Sequence, residues 1–474
     1  MATTNIKCLL AISVGVCWLF STPCVAQQTV SAKVDEFIKA EMRRQRIPGL
    51  SLAVIRDGRT IVAKGYGFSN VEHQIPVKPE TVFQSGSIAK QFTATAVMIL
   101  VEEGKLSLDD KITKYFPDTP ETWKPITVRH LLNHTSGMGD YATEVDLRRD
   151  YTEDEYLAFI KKSPLIYQTG AKWDYSNSGY VTLGALVRKV TGKFYGDFLR
   201  ERVFQSLGMT TARIISEADI VPNRAAGYRL VNGDLKNQEW VSPSQNTTAD
   251  GSFYFTILDL AKWNAALDTD KPLKQSSLTQ MWMSTKLNDG TRKAYGFGWH
   301  TDTMHGRRIV YHGGAWQGFK SFIVRFPDDE LTIIFFANLW QTTEFRIARG
   351  LIANFYPEFA LPLAQPLEDK EPKVTASVRR VLLQFAKGAA DSNLFTPEAR
   401  AEIFPDRAEQ IGKQLSLLSI PIAIIYSSEL IERRGEENGL RVYRYMLNDL
   451  GTTLFCTVKL TKDDKIASLQ VRSE

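Results

Sequence analysis

Segments with the alternation and composition of β-strands fall into two groups that lie far apart in this chain. In the first group, Leu50–Ile55 and Thr60–Ala63 are separated by Asp57-Gly58, a dipeptide typical of hairpin turns. The second group has a turn signal at Asp328-Asp329 and consists of Gly296–Trp299, Arg308–His312, Phe319–Phe326 and Leu331–Phe336. Between the groups, residues 120–275 are mainly helical in pattern. We therefore predict an α+β fold, in which one antiparallel sheet is built from both groups and the helical part packs against it.

Two further segments have the spacing of amphipathic or buried helices. In Val30–Met42 the apolar residues recur at helical intervals, and Ile88–Glu103 is a longer apolar run without helix breakers. Gly104 follows this run directly, and glycine is the usual residue just beyond a helix end. The sequence therefore predicts a buried helix over Ile88–Glu103 that stops at Gly104.

The chain is long enough for more than one domain, and its prolines indicate where a boundary lies. It has 474 residues, and Pro357, Pro362, Pro366 and Pro372 punctuate a stretch with little periodicity. We predict a large domain over 27–362, a linker over 363–373 and a small α+β domain over 374–474. The small domain is expected to hold a helix from Val374 and three consecutive strands, at Gly439–Leu447, Thr452–Leu460 and Ile466–Val471.

The amino-terminal segment has the pattern of a secretory signal. Lys7 precedes an apolar core, Cys8–Phe20, that is too short to span a bilayer comfortably, and small Ala26 suits the residue before a cleavage site. We therefore predict a signal peptide over 1–26 and a bacterial protein that is periplasmic or secreted, with no stable membrane span after cleavage. The alternative is an uncleaved amino-terminal anchor.

Charge and cysteine content exclude several classes of partner. The net charge of +5 comes from 58 basic and 53 acidic residues, a near balance that does not favour nucleic-acid binding. Three cysteines lie inside the predicted signal, so the mature chain keeps only Cys456, within an alternating stretch. We expect a buried thiol there, no internal disulfide and no cysteine-based metal site.

Ser87-Ile88-Ala89-Lys90 is the first group of residues with catalytic potential. If Ser87 begins the predicted helix, Lys90 lies one turn further on the same face. A serine hydroxyl needs a base, and a lysine can supply one when burial and nearby positive charge lower its pKa. Taken alone, the motif fits a helix-capping serine followed by a solvated lysine better than a catalytic pair.

Two more motifs complete a possible site. Tyr175-Ser176-Asn177 has a loop-like setting, where a tyrosine could relay a proton and Asn177 could orient a carbonyl or hold a lysine. His312-Gly313-Gly314 falls on or at the end of a strand, and paired glycines there indicate close approach of another group, such as a substrate backbone. The alternatives are a packed tyrosine in a turn, and a bulge with a surface histidine.

In this order the three motifs resemble those of the serine β-lactamase and penicillin-binding-protein family, in the branch of class C β-lactamases, D-aminopeptidases and related esterases. Further similar segments are Thr81–Ser87, Glu102–Phe116, Ile126–Met138, Tyr295–Trp299 and His312–Phe319. The resemblance covers roughly residues 30–355. It implies the β-lactamase/transpeptidase-like fold, an antiparallel sheet flanked by helices with a helical subdomain, and here a small α+β domain follows it.

The resemblance also implies roles for individual residues. Ser87 would be the nucleophile, Lys90 and Tyr175 would share general acid and base duty, and Asn177 would position the substrate. His312 and Gly314 would line the substrate site, and the backbone N–H groups of Ser87 and Ala315 would form the oxyanion hole.

His312 stands where the family has the lysine of a K-T-G motif. No K-T-G occurs in the chain, and Lys189–Gly192 looks instead like a helix end. Because an unperturbed histidine is only partly charged near neutral pH, we expect poor turnover of substrates with a free carboxylate, improving toward about pH 6.

The resemblance therefore predicts a secreted serine hydrolase that forms an acyl-enzyme on Ser87 and acts on a D-amino-acid peptide, amide or ester. The alternatives are a class C-type β-lactamase, a D-alanyl-D-alanine carboxypeptidase, and a non-catalytic protein that binds peptidoglycan-like peptides. We expect a small-molecule or peptide substrate, no cofactor and no metal. The pairs His130/His134 and His300/His305 are more consistent with structural roles, since the sequence places no third ligand nearby.

Overall fold

The computed structural model describes residues 22–141, 145–214, 218–251, 253–362, 364–416, 418, 421–437 and 439–473. Its α-helices are α1 (Thr22–Gln45), α2 (Ala89–Glu102), α3 (Val128–Leu132), α4 (Glu153–Lys162), α5 (Asn177–Thr191), α6 (Tyr195–Leu199), α7 (Ile257–Ala266), α8 (Gln275–Met281), α9 (Glu344–Ile352), α10 (Pro372–Ala386), α11 (Pro397–Ile403), α12 (Asp406–Leu415) and α13 (Pro421–Tyr426). Its strands are β1 (Gly49–Arg56), β2 (Arg59–Asn70), β3 (Ile75–Pro76), β4 (Phe83–Gln84), β5 (Tyr228–Val231), β6 (Asp234–Asn237), β7 (Tyr254–Phe255), β8 (Thr285–Lys286), β9 (Arg292–Lys293), β10 (His300–Met304), β11 (Arg307–Trp316), β12 (Phe319–Phe326), β13 (Leu331–Ala337), β14 (Glu429–Glu437), β15 (Leu440–Asn448), β16 (Thr453–Leu460) and β17 (Ile466–Ser473).

The central sheet joins the two distant groups of strands. Among the described residues it has seven strands in the order β10-β11-β12-β13-β1-β2-β3, with antiparallel neighbours throughout. Strand β1 lies between β2 and β13, so that Leu50 is opposite Ala337 and Arg56 is opposite Leu331. The predicted α+β fold and its antiparallel sheet are confirmed.

Strand periodicity divides the apolar residues of this sheet between two hydrophobic clusters. In β1, Ala53 and Ile55 face an inner cluster that also contains residues of α2 and α5. Leu52 and Val54 point the other way, into an outer cluster that contains residues of α1 and α9. Because both faces are covered, β1 is buried along nearly its whole length.

Helix α2 runs through the inner cluster and starts from a tight turn. A 3₁₀ turn over Gly86–Ile88 leads directly into α2, so Ser87 lies in the turn from which the helix starts, two residues before Ala89. Gly104, at φ +65°, lies beyond the last turn, which confirms the predicted glycine stop. Likewise, Lys189–Gly192 ends α5, with Gly192 in the left-handed region.

One predicted strand is wrong. Gly296–Trp299 forms a loop, in which Gly298 has φ +74°. A Cβ atom on Gly298 would lie 2.7 Å from the carbonyl oxygen of Lys90. The apolar alternation therefore reflects a loop that is pressed against the start of α2, and this close approach requires glycine.

The C-terminal region is a second, smaller sheet with its own helices. Strands β14 to β17 form a four-stranded antiparallel sheet in chain order, next to α10–α13. The prediction of one helix and three strands was incomplete, because it lacked β14 and the helices α11–α13. Strand β14 is rich in charged residues, so its sequence carries little strand signal.

This region shares a core with the outer face of the central sheet. The outer cluster is continuous from Ile38 in α1 and Phe345 in α9 to Val381 in α10 and Tyr445 in β15. The helix α10 begins at Pro372, so the predicted linker, residues 363–373, ends inside its first turn. The two parts therefore contact each other through a buried apolar interface.

Four charged side chains meet where three elements of the two parts come together; three of them are buried, and the Arg44 side chain is 25% exposed. Arg44 of α1 lies 2.7 Å from both Glu41 and Glu429, the latter in β14. Arg346 of α9 lies 3.1 Å from Glu41 and 3.4 Å from Glu429. We call this set the ion-pair cluster. The ion-pair cluster links α1, α9 and β14 with alternating charges.

Residues 1–21 of the predicted signal peptide lie outside the described residues, and Thr22–Ala26 belong to the first turns of α1. Across the described part of the chain, no helix combines the length and the apolar character needed to cross a bilayer. Cys456 is buried, as predicted, and burial raises the pKa of its thiol to about 12.

Candidate active site

The Ser87 hydroxyl and the Lys90 amine face each other at the start of α2. The Lys90 Nζ atom lies 3.2 Å from Ser87 Oγ. One helical turn separates the two residues, which brings both side chains to the same face of α2. The structure thus places the first predicted pair within hydrogen-bond distance.

Lys90 is fully buried, and the hydrogen-bond acceptors around its Nζ atom determine the directions of its N–H bonds. Nζ also donates to the Asn177 Oδ1 atom at 2.7 Å and to the Asp250 carbonyl oxygen at 2.6 Å, and both atoms are only acceptors. A neutral amine has two N–H bonds and one lone pair. In the neutral form, both N–H bonds are committed to these acceptors and the lone pair is then directed at the Ser87 hydroxyl, as a general base requires.

Burial also favours the neutral amine. It lowers the pKa of Lys90 to about 8, against the raising effect of the Asp250 and Asp140 carboxylates. A substantial neutral fraction is therefore present near pH 8.

Tyr175 lies in the loop before α5, beside this pair. Its ring centroid is 4.8 Å from Lys90 Nζ, and its hydroxyl is buried without a hydrogen-bond partner among the described residues. Burial raises the pKa of Tyr175 well above its usual value, which the nearby Ser87 hydroxyl offsets only in part. Tyr175 is therefore a neutral phenol, and Lys90 is the better base of the two.

Asn177 is the first residue of α5 and connects Lys90 to an acidic group. Its Oδ1 accepts from Lys90, and its Nδ2 donates to Asp140 at 2.8 Å. These two contacts fix the orientation of the amide. Asn177 thus holds Lys90 in place and also lines the cleft.

Strand β11 passes directly beside the serine turn. A Cβ atom on Gly314 would lie 2.0 Å from the Ser85 carbonyl oxygen, and one on Gly86 would lie 2.4 Å from the Ala315 nitrogen. The predicted close approach at the glycines is present, but the group that approaches Gly314 is the protein's own Ser85 backbone and not a substrate. The contact brings Ala315 next to the Gly86-Ser87 turn, where Ser87 and Ala315 line the same cleft.

His312, also in β11, belongs to a buried hydrogen-bond chain. Its Nδ1 lies 2.5 Å from the Gly313 carbonyl oxygen and its Nε2 lies 3.2 Å from the Tyr295 hydroxyl. That hydroxyl lies 3.1 Å from His134 Nε2. The Ser176 backbone N–H then donates to His134 Nδ1 at 3.2 Å. The chain therefore runs from the loop of Tyr175 to the strand of Ala315.

The two ends of this chain assign every proton within it. The Gly313 carbonyl only accepts, so His312 carries its proton on Nδ1 and accepts from Tyr295 at Nε2. The Tyr295 hydroxyl must then accept from His134 Nε2–H, which leaves His134 Nδ1 to accept from Ser176. Both imidazoles are neutral, and each has a single defined tautomer.

The expectation that His312 is partly charged is wrong. Burial, together with Lys90, lowers the pKa of His312 to about 3, against a raising effect of the Gly313 carbonyl. Both ring nitrogens are already hydrogen-bonded within the protein. His312 therefore presents neither a charge nor a free N–H to a substrate carboxylate, and no gain in its charge is expected as the pH falls toward 6.

The remaining histidines have structural contacts. His130 accepts from the Thr127 backbone N–H at the start of α3, and His300 stacks on Tyr311 with ring centroids 5.1 Å apart. Within the described ranges, no group of three or more histidine, cysteine or acidic side chains is placed to hold a metal.

The cleft in front of Ser87 has a volume of about 70 Å³. Its described lining consists of Ser87, Tyr141, Leu147, Asn177, Gln245, Thr248, Asp250, Gly251, Ala315 and Trp316. Asp250 is the only charged side chain in this set. The sequence motifs did not indicate Asp250, Asp140, His134 or Tyr295 as site residues, although His134 and Tyr295 lie inside segments that resemble the family.

Comparison with known proteins agrees with this geometry. The family model described as Beta-lactamase matches residues 34–356. Penicillin-binding protein 4* of Bacillus subtilis (strain 168) is 28% identical over 309 residues, which are 61% of this chain and 68% of that protein. Other curated relatives are matched over 62–63% of their length, so this chain spans less than two thirds of them.

Two solved structures share the fold. The octameric penicillin-binding protein homologue from Pyrococcus abyssi is 25% identical with a TM-score of 0.63, covering 91% of this chain and 90% of that one. D-amino acid amidase from Ochrobactrum anthropi SV3, complexed with L-phenylalanine amide, is 27% identical with a TM-score of 0.58, covering 65% and 91%. The first likeness extends past residue 356, into the C-terminal region.

Proposed function

The chain belongs to the Beta-lactamase family, and from that premise we propose that it is a serine hydrolase which forms an acyl-enzyme on Ser87 and acts on a D-amino-acid peptide, amide or ester. Within this proposal, residues 27–362 form the hydrolase domain and residues 374–474 form an accessory domain. The predicted signal over 1–26 supports a periplasmic or secreted location.

The observation that carries the proposal is the hydrogen bonding of Lys90. Its two N–H bonds have fixed acceptors on Asn177 and Asp250, and its lone pair faces the Ser87 hydroxyl 3.2 Å away. A protein that only binds peptides does not need a buried lysine whose pKa is lowered to about 8 in this position. The geometry therefore favours catalysis over the non-catalytic alternative.

The reaction follows from these positions. Lys90 accepts the Ser87 proton as Oγ attacks the substrate carbonyl carbon, and the backbone N–H groups of Ser87 and Ala315 stabilise the oxyanion. The C–N or C–O bond to the leaving group then breaks, and the leaving group takes the proton held by Lys90, with the neutral Tyr175 phenol as the relay. Water attacks the acyl-enzyme in the second half, gives its proton to Lys90, and Ser87 regains a proton as the acid leaves.

The electrostatics of the cleft separate the candidate substrates. Penicillins and D-alanyl-D-alanine peptides both carry a free carboxylate. Here that carboxylate would meet the negative Asp250 and the neutral His312, with no cation among the described lining residues. Neutral amides and esters have no such penalty, and the similarity to D-amino acid amidase supports the same substrate class.

Labelling with a fluorophosphonate tests the mechanism, and a substrate panel tests the class. We expect the purified protein to be labelled, and Ser87→Ala to remain folded but unlabelled. D-phenylalanine amide should be turned over faster than its L-enantiomer and than a penicillin. Labelling at full strength in Ser87→Ala would contradict the assignment of the nucleophile.

A further inference from the structure

Asp250 is a carboxylate placed at the catalytic cleft, and the reaction itself does not use its side chain. Only its backbone carbonyl contacts Lys90. The next residue, Gly251, lies against the serine turn, where a Cβ atom on Gly251 would be 3.5 Å from the Gly86 carbonyl carbon. The carboxylate is therefore held on a segment that is packed beside the nucleophile.

This carboxylate is only weakly satisfied by the protein. Asp250 is 8% exposed, and the Tyr141 hydroxyl lies 3.3 and 3.4 Å from its two oxygens, which is long for a hydrogen bond to a carboxylate. No ion pair to Asp250 occurs within the described part of the chain. Buried carboxylates are normally paired with a cation or with several short hydrogen bonds, so a position for a cation is left open in the cleft.

We infer that Asp250 binds the α-ammonium group of the substrate and restricts the enzyme to D-amino-acid derivatives with a free amino group. The inference rests on the proposed function. The α-nitrogen lies two bonds from the carbonyl carbon that Ser87 attacks, so its receptor must stand beside the nucleophile. Asp250 is the only charged side chain among the described lining residues that meets this requirement.

Tyr141 is a positioning residue in this arrangement. Its hydroxyl lies nearly equidistant from both carboxylate oxygens and restricts their rotation without neutralising them. The Asp250 backbone is fixed from the other side by Lys90. An ammonium in this place would add charge-assisted hydrogen bonds to a carboxylate that is already oriented, which reduces the entropy lost on binding.

The experiment compares two chromogenic amides that differ in one group. D-phenylalanine p-nitroanilide carries the α-ammonium, and 3-phenylpropionic acid p-nitroanilide has the same acyl skeleton without it. For the full-length enzyme we expect kcat/KM to be higher for the first by about 10- to 100-fold, the range of a charge-assisted hydrogen bond in a buried site. Asp250→Asn should remove most of this preference, mainly through a higher KM.

Asp140→Asn is the matched control. Asp140 also lies near Lys90 and carries the same charge, but its carboxylate holds Asn177 and it is not among the described residues that line the cleft. We expect Asp140→Asn to lower kcat/KM for both anilides in parallel and to keep their ratio.

The outcomes separate this inference from the proposed function. If Ser87 is labelled by a fluorophosphonate but wild type treats the two anilides alike, or if Asp250→Asn lowers both equally, ammonium recognition by Asp250 is overturned and the hydrolase remains. If wild type is neither labelled nor active on any ester or amide, both are overturned. A ratio that falls in Asp250→Asn and holds in Asp140→Asn supports the inference.

Discussion

Two sites in this molecule hold buried basic side chains, and they differ in whether a carboxylate pairs with the basic group. Lys90 has neutral partners for its hydrogen bonds, and burial lowers its pKa to about 8. Arg44 and Arg346, at the contact with the C-terminal region, alternate with Glu41 and Glu429 in the ion-pair cluster.

This difference shows how the partners of a buried basic group affect its protonation and its role. Burial penalises the charged form in both places. Arginine stays protonated, and the carboxylates of Glu41 and Glu429 give Arg44 and Arg346 ion-pair partners that join three elements. Lys90 lacks a direct ion pair within the described residues, so burial lowers its pKa to about 8, which fits the base that we propose. The ion-pair cluster holds structural elements together, whereas the surroundings of Lys90 suit the proton transfer that we propose for it.

The largest effect is expected when Lys90 is kept from accepting a proton. Lys90→Ala should lower kcat/KM by about 10³- to 10⁴-fold, nearly as much as Ser87→Ala, because residues of one catalytic unit are not additive. Lys90→Arg should be equally inactive, since arginine stays protonated. Circular dichroism controls for folding. Near-wild-type ester turnover by Lys90→Ala would show that the base lies elsewhere.

Breaking the ion-pair cluster should reduce stability and leave the chemistry intact. Glu429→Gln leaves the buried Arg346 and the partly exposed Arg44 with one carboxylate between them and should cost about 3 kcal/mol of unfolding free energy. Glu432→Gln, in the same strand but in a partly exposed pair with Arg434, should cost only about 0–1 kcal/mol. Urea titration measures both. If the two variants unfold alike, the ion-pair cluster does not hold the two parts together.

His312→Lys tests whether this strand position can gain a cation. The sequence alone predicts that the change favours carboxylate substrates. The structure predicts that lysine removes two buried hydrogen bonds, to Tyr295 and to Gly313, and lowers kcat on penicillin and on a neutral ester together, by about 10-fold. The penicillin-to-ester ratio of kcat/KM should therefore stay within about threefold of wild type. A large rise in that ratio would place His312 against the carboxylate after all.

The smallest effect concerns the pH at which Lys90 becomes neutral. The rate of fluorophosphonate labelling should rise with pH through about 8, since Lys90 acts in its unprotonated form. Asp140 and Asp250 raise the pKa of Lys90, so Asp140→Asn should shift this limb to lower pH. His134 and His312 are neutral throughout this range because burial lowers the pKa of both. A limb near pH 6 would instead indicate a histidine base.

Local patterns were sufficient to predict the sheet and the pairing of Ser87 with Lys90. Largely continuous apolar runs mark β12 and β13, because both faces of those strands are buried. The Ser87/Lys90 spacing is a property of a single helix turn, so one segment contains it. Features of this kind need no knowledge of distant contacts.

Features that depend on distant segments could not be predicted. Burial and the nearby Lys90 lower the pKa of His312, and both arise from segments distant in the sequence, so the sequence suggested a partial charge where the ring is neutral. Asp250 has no motif around it, and its position beside Ser87 arises only from packing. The sequence of the loop over Gly296–Trp299 has the pattern of a strand, because its apolar residues are buried against a neighbouring helix.

The hydrogen bonds through His134, Tyr295 and His312 can have only one donor-to-acceptor direction. The other tautomer of His134 would place an N–H against the Ser176 backbone N–H. The other tautomer of His312 would place an unprotonated nitrogen against the Gly313 carbonyl oxygen. Neither imidazole can therefore change its tautomer alone. The two imidazoles should therefore give opposite tautomer signatures in ¹⁵N NMR, Nε2–H for His134 and Nδ1–H for His312. Any displacement of the Tyr175 loop from the Ala315 strand would mix those signatures. The tautomers of these two histidines therefore report whether the Tyr175 loop and the Ala315 strand keep their relative positions on the two sides of the cleft.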